Sequence, residues 1–126
     1  MIENVTAAFW GREFTLPVEY DCYEGETITD KQIQTMDSFS ENLKWIDESK
    51  DQVEAYCKEA VMKDADNNKK DNIFSYLKPE SLFVKRTRLE PRVALMLKYR
   101  YDPDHGLAVI FTLDGKVTIG KQDLIL

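Results

Sequence analysis

The only histidine of the chain, His105, lies in a short polar segment between two apolar stretches, KYRYDPDHGLAVIF. An imidazole beside carboxylates can transfer protons near neutral pH or bind a divalent metal ion. The carboxylates would come from the same segment and from the C-terminal KQDLIL, which would then have to fold back beside the histidine. The candidate functional turn therefore comprises Asp102, Asp104, His105, Gly106, Gln122 and Asp123.

The same segment also has the composition of a structural turn. Pro103 presets φ for the first central position, Asp102 can accept backbone N–H bonds, and Gly106 tolerates a positive φ. The chain offers no second imidazole, and no nucleophile motif surrounds His105. We therefore expect the imidazole to bond a turn carbonyl or a carboxylate, and we assign no catalytic residue, metal or cofactor. A metal-dependent or acid/base enzyme centred on this turn is the alternative.

Charge is distributed unevenly along the chain, whose formal net charge is -6. Residues 19–66 carry 14 acidic and 5 basic side chains, whereas residues 67–126 carry 7 and 11. A field of one sign speeds encounter with a surface of the other sign, so we expect a basic protein partner. The candidate partner-binding acidic face comprises Asp47, Glu48, Asp51 and Glu54. The alternative is that these residues form only the solvated side of an amphipathic helix.

Nucleic-acid binding is a weaker hypothesis. Basic side chains on neighbouring predicted strands could form a stripe that contacts phosphates: Lys85, Arg86, Arg88, Arg92, Lys98 and Arg100. An exposed sheet face needs such residues in any case, and the pI near 4.8 disfavours a phosphate-binding protein.

Two further motifs fail as sites. Asp64, Asp66 and Asn68 begin a calcium-loop pattern, but Lys69 replaces its glycine and Ser75 replaces its bidentate glutamate. Cys57 falls in the apolar stripe of a predicted helix, where we expect a small buried hydrophobe, and it forms no C-x-x-C motif with Cys22.

The elements around these residues predict one α+β domain over residues 1–126, with an antiparallel sheet packed against two or three helices. The sheet comprises an N-terminal hairpin and a C-terminal meander of about four strands. We divide the chain into N-terminal strands (1–22), an acidic helical part (29–64), a loop with a short helical turn (65–81) and antiparallel strands (82–126). A homodimer through the open sheet face is a further expectation.

Local signals fix several boundaries. Thr29 and Gln32 have the spacing of a capping box, so a helix begins there, and Ser49 with Gln52 repeats that spacing. The repeat predicts either a break near residues 47–49 or two helices packed as an antiparallel pair. Asp114 and Gly115 predict a tight hairpin turn.

The chain also lacks the features of a membrane or secreted protein. Its N-terminus has no basic region followed by a long apolar core, and no apolar run reaches the length of a membrane span. We therefore expect a cytoplasmic protein.

YRYDPDHGLAVIF and DGKVTIGKQDLIL together resemble the C-terminal signature of an uncharacterised group of bacterial domains of unknown function. In that group, Tyr-Asp-Pro-Glu-His-Gly and a terminal Gly-x-Gln-Asp-Ile/Leu-Ile-Leu recur, and this chain has Asp104 where glutamate is usual. ITDKQ and PRVALMLKYRY are similar as well, so the resemblance covers most of the chain. It implies a bacterial cytosolic α+β domain and no catalytic residue; immunity proteins of toxin systems are an analogy only.

Overall fold

The computed structural model of the protein describes residues 1–61 and 73–126. Within these residues, six strands form one sheet in the order β1-β2-β3-β4-β5-β6. They are β1 (Asn4–Phe9), β2 (Arg12–Tyr20), β3 (Leu77–Val84), β4 (Arg92–Tyr99), β5 (Leu107–Thr112) and β6 (Val117–Gly120). The helices are α1 (Asp30–Ser40), α2 (Lys44–Glu48) and α3 (Lys50–Tyr56), followed by a π-helical turn (Cys57–Val61). Short 3₁₀ turns occupy Ile73–Tyr76 and Gln122–Leu124.

The expected α+β class is confirmed, with helices packed on a sheet that is mostly antiparallel. The sheet has six strands because the N-terminal hairpin joins the C-terminal strands, so it is larger than a four-strand meander. One pairing departs from the antiparallel expectation, since β2 and β3 run parallel over Val18–Tyr20 and Leu82–Val84. Parallel neighbours need a long crossover connection, and α1 to α3 lie within it.

The proline of β2 lies where that strand changes partner. Pro17 is opposite Asn4 of β1, and pairing with β3 begins only at Val18. Because proline donates no backbone hydrogen bond, it is tolerated at this position, where β3 does not yet pair with β2.

One face of the sheet carries the main core. Alternate residues of the strands point to this face and pack under the helices. The largest fully buried side chains here include Phe9, Phe39, Leu95, Tyr99 and Phe111. Trp10 fastens the β1–β2 turn to α2, because its indole Nε1 donates to the Ile46 carbonyl over 3.0 Å.

The capping box predicted at the start of α1 is present. The Thr29 side chain accepts from the Gln32 backbone, and the Gln32 side chain accepts from the Thr29 backbone. The Gln32 amide also donates to the carbonyls of Asp21 and Val84, at the ends of the parallel strands. This buried glutamine therefore fixes the helix start and the crossover together.

The second expected capping box is wrong, although the predicted break is present. α2 ends at Glu48 and α3 begins at Lys50. Ser49 makes no side-chain cap; its hydroxyl donates instead to the Ile46 carbonyl over 2.6 Å. The chain around Ser49 stays in the right-handed helical region, so the hydroxyl is directed back to the preceding turn.

The predicted loop at 65–81 needs correction at its C-terminal end. Residues 65–72 and the end of the predicted helix, 62–64, lie outside the described residues, as does most of the calcium-loop pattern. Ile73–Tyr76 forms the expected helical turn, but β3 already begins at Leu77. A register shift between Pro79 and Ser81 interrupts the alternation of side chains, which hid the first half of the strand from a periodicity argument. The second half, from Leu82, lies within the predicted strands.

The second face of the sheet is covered at its centre by the chain's own C-terminus. Ile125 is buried there with Phe83, Met96 and Ile110. Part of the face that we expected to be open to a second copy is therefore occupied by the C-terminal segment.

Candidate functional site

The turn between β4 and β5 has the geometry of a closed loop. The Gly106 N–H donates to the Asp102 carbonyl over 2.9 Å, and Gly106 adopts a φ of +61°. Nδ1 of His105 lies 2.8 Å from Oδ1 of Asp102. The imidazole therefore bonds a carboxylate of its own turn.

The C-terminal segment folds back beside this turn, as the candidate site required. Gln122 connects this segment to the turn and to β4. Its backbone N–H donates to the His105 carbonyl, and its side-chain Nε2 donates to the Leu97 carbonyl. The Leu97 bond is 3.0 Å long. Gln122 therefore belongs to the turn by direct contact.

The remaining carboxylates of the candidate turn do not converge on the histidine. Asp104 and Asp123 are both exposed, and only Asp102 bonds the imidazole. In the part of the chain that the structure describes, no three His, Cys, Asp or Glu side chains are grouped to hold a metal ion. The described turn thus presents one histidine–carboxylate pair.

Cys57 and Tyr99 form a second group of titratable side chains, inside the core. Both are essentially inaccessible to solvent. Burial raises the pKa of the Cys57 thiol to about 11, and burial together with the neighbouring thiol raises the pKa of Tyr99. The Tyr99 hydroxyl forms no complete hydrogen bond with any described group. A thiol with a raised pKa stays protonated and unreactive at neutral pH. A structural role in core packing therefore suits this pair better than a role as a nucleophile.

The four residues of the acidic face lie on α2 and α3, and two of them already have partners. Oδ1 of Asp47 accepts the Trp10 backbone N–H over 2.8 Å. Glu54 pairs with Lys58 at 2.7 Å, and that contact lowers the pKa of Glu54.

Glu48 and Asp51 differ from the other two. Both are exposed, and neither has an ion pair or a side-chain hydrogen bond with any described residue. Asp51 also borders an open groove of about 410 Å³, whose other lining residues are Glu54, Ala55, Lys58 and Glu59. Glu48 and Asp51 are therefore the part of the acidic face that is free of partners among the described residues, with the groove beside them.

The basic stripe is partly neutralised within the chain. Lys85 lies 3.6 Å from Asp21, and Arg86 lies 3.0 Å from Glu26. Lys98 lies 3.6 Å from Glu80. Arg88, Arg92 and Arg100 make no ion pair with a described carboxylate. The predicted stripe therefore offers fewer free cations than its sequence indicates.

A cavity of about 470 Å³ lies beside the start of β3 and the end of β4, where Pro103 of the turn forms part of its wall. The other lining residues are Ser75, Tyr76, Lys78, Lys98, Tyr99 and Arg100. Sequence reasoning missed this cavity because Ser75, Tyr76 and Lys78 fell in a segment predicted as loop and helical turn. Recognising Leu77–Val84 as a strand would have placed Lys78 beside β4.

No described helix is long and apolar enough to cross a membrane. The family described as a domain of unknown function, DUF6985, matches residues 2–126. The search of curated proteins and the search of solved structures each returned no match.

Proposed function

The chain belongs to the DUF6985 family of domains of unknown function, and we propose that it is a non-enzymatic module that binds a basic protein partner. The contact surface is the acidic face on α2 and α3. The observation that carries the proposal is the exposure of Glu48 and Asp51 without a compensating cation among the described residues. Carboxylates that stabilise no internal contact are free to pair with a partner's lysines or arginines.

The groove beside Asp51 supports the same surface. Glu54 and Glu59 border it, and among its described lining residues Lys58 is the one basic side chain. A long basic side chain of a partner could extend along this groove, with its charge near Asp51 and its methylenes against Ala55. Asp47 contributes negative charge nearby while it holds the β1–β2 turn.

Such a complex forms quickly and weakens as salt rises, because exposed charges are screened over roughly 8 Å at physiological ionic strength. The first experiment is affinity capture of the tagged chain from its own cells at low and at moderate salt. The proposal predicts one stoichiometric basic protein that is lost as salt rises. An acidic partner, a partner retained unchanged at moderate salt, or no partner at low salt would contradict it.

The bacterial cytosol is the setting we propose, on the resemblance of the C-terminal signature. An immunity-type protein, a small domain that caps a basic toxin surface, is one kind of module that this acidic face suits. That comparison is analogy, since acidic surfaces occur on many folds. A homodimer through the remaining polar part of the second sheet face, which includes Thr15 and Thr118, stays a prediction.

An enzyme centred on the β4–β5 turn is the second candidate. The pair formed by His105 and Asp102 favours it, because a carboxylate that orients an imidazole is a common arrangement in acid/base catalysis. Calorimetric titration with Mg²⁺, Mn²⁺ and Zn²⁺ tests its metal-dependent form. Saturable binding that is lost in both His105→Ala and Asp102→Asn would support this candidate, and no binding would remove its metal-dependent form.

A further inference from the structure

The 470 Å³ cavity at the start of β3 and the end of β4 combines positive charge with an aromatic wall. Its volume lies within the range of about 300–1,000 Å³ that is typical of small-molecule pockets. It shares no residue with the acidic face, so an occupant here would be independent of the proposed protein partner.

The positive side chains at this cavity lie close enough to repel each other, which opposes the pairing of β3 and β4. Lys78 and Lys98 are directly opposite each other in the register of the antiparallel β3–β4 pair. Like charges directly opposite on one sheet face destabilise the pairing. Arg100 follows Lys98 along the chain and adds a third positive charge to the lining.

Within the part of the chain that the structure describes, these charges are only partly balanced. Glu80 lies 3.6 Å from Lys98, and both side chains are well exposed. Lys78 and Arg100 have no ion pair with a carboxylate in the ranges 1–61 and 73–126. The lining therefore carries excess positive charge, which a bound anion would neutralise.

Part of the lining is held in place before any ligand binds. The Arg100 backbone N–H donates to the Tyr76 carbonyl over 3.0 Å, and the guanidinium Cζ lies 5.7 Å from the centroid of the Tyr76 ring. Tyr76 in turn packs edge-on against Tyr101, with ring centroids 5.1 Å apart. A guanidinium fixed in this way can bind a phosphate through two parallel hydrogen bonds.

We propose that this cavity binds a small phosphomonoester with a flat ring, of the size of a mononucleotide. The phosphate lies among Lys78, Lys98 and Arg100, and the ring packs against Tyr76 and Pro103. A phosphomonoester carries close to two negative charges at neutral pH, which matches the excess positive charge. The cavity is larger than a bare phosphate needs, and the tyrosine and proline walls are suited to an organic ring.

A nucleic acid fits this region less well than a small molecule. An extended phosphate backbone needs successive free cations. Lys85 and Arg86 follow the opposite end of β3 and are already paired with Asp21 and Glu26. Arg88 and Arg92 also lack a described carboxylate partner, but they lie at the opposite end of the β3–β4 pair and do not extend the cluster formed by Lys78, Lys98 and Arg100.

The test is calorimetric titration of the full chain with adenosine 5′-monophosphate, adenosine and inorganic phosphate as probes. The monophosphate is expected to bind at least about tenfold more tightly than either fragment, because only it contacts both the cations and the ring wall. Equal affinity for the monophosphate and adenosine would overturn the phosphate site. Equal affinity for the monophosphate and inorganic phosphate would overturn the ring site.

Variants locate the site. Lys78→Gln removes a cation that has no described partner, so it should preserve folding and weaken monophosphate binding about tenfold. Arg100→Lys keeps the charge but loses the planar guanidinium, and it should also weaken binding. Lys116→Gln is the matched control in the β5–β6 turn, and it should leave affinity unchanged. Unchanged affinity in Lys78→Gln, or an equal loss in Lys116→Gln, would overturn the proposal.

Discussion

The Nδ1 atom of His105 lies 2.8 Å from Oδ1 of Asp102, inside a turn that is closed by the bond from the Gly106 N–H to the Asp102 carbonyl. The same turn accepts a bond from the C-terminal segment, because the Gln122 N–H donates to the His105 carbonyl. The histidine thus lies between two parts of the chain that must meet for the second sheet face to be covered.

Replacing this histidine should reduce stability modestly. His105→Ala removes one partly exposed hydrogen bond, so the free energy of unfolding should fall by about 1 kcal/mol. Asp104→Ala is the control at the neighbouring exposed position and should change it by less than about 0.5 kcal/mol. Urea unfolding measures both values. An unaltered free energy of unfolding in His105→Ala would contradict the structural role of the pair.

Gly106 should tolerate no side chain. A Cβ there would lie 2.7 Å from the Leu97 carbonyl oxygen and 2.8 Å from Nε2 of Gln122, at a φ of +61°. We expect Gly106→Ala to destabilise the domain by at least about 3 kcal/mol, from backbone strain and overpacking together.

Gly25 supplies the matched control for that substitution. It also has a positive φ, of +84°, but an added Cβ would meet nothing within 4 Å. Gly25→Ala should therefore cost only about 1 kcal/mol. Similar losses in the two variants, measured by thermal unfolding, would show that the close approach of Leu97 and Gln122 is unimportant.

The C-terminal segment should contribute to the core. Ile125 is 1% exposed among the apolar residues of the second sheet face, so Ile125→Ala should destabilise the domain by about 3 kcal/mol. Leu124 is 52% exposed, and Leu124→Ala should cost less than about 1 kcal/mol. If Ile125→Ala has no larger effect than Leu124→Ala, the segment does not cover the sheet in solution.

Stability should decline at high pH because of Cys57. The pKa of its thiol is raised from 9.0 to about 11 by burial, so the folded state holds the proton more tightly than the unfolded state. The free energy of unfolding should be insensitive to this group below about pH 8 and should fall between about pH 9 and pH 11. Tyr99, whose pKa is also raised, extends the loss above pH 10.

The variant Cys57→Ala tests that assignment. It should flatten the lower part of the alkaline decline in denaturant unfolding measured across pH, whatever its effect on stability at pH 7. A decline of the same depth and midpoint in the variant would assign the pH dependence to other groups.

Features coded by neighbouring residues could be predicted from the sequence. The start of α1 follows from the spacing of Thr29 and Gln32, and the turns at Gly106 and Gly115 follow from residues that accept a positive φ. Each depends on contacts within a few positions.

Features that depend on distant contacts could not be predicted. The parallel pairing of β2 with β3 is stabilised by Gln32, which bonds Asp21 and Val84 across the crossover. The register shift near Pro79 obscured the first half of β3, and with it the cavity beside Lys78. The charge pattern located the acidic residues of α2 and α3. It could not show which of their carboxylates are paired, because Asp47 binds a backbone N–H of the distant β1–β2 turn.

The most direct test of the protein-binding account compares capture by two charge-reversal variants with capture by the wild type at low salt. Glu48→Lys/Asp51→Lys reverses the free carboxylates of the acidic face and spares Asp47 and Glu54. Glu13→Lys/Glu19→Lys makes the same change in net charge at exposed positions of β2. The account predicts that the control retains the basic partner and that the acidic-face variant loses it at least tenfold. Equal retention by both variants, or equal loss from both, would contradict a binding role for this face.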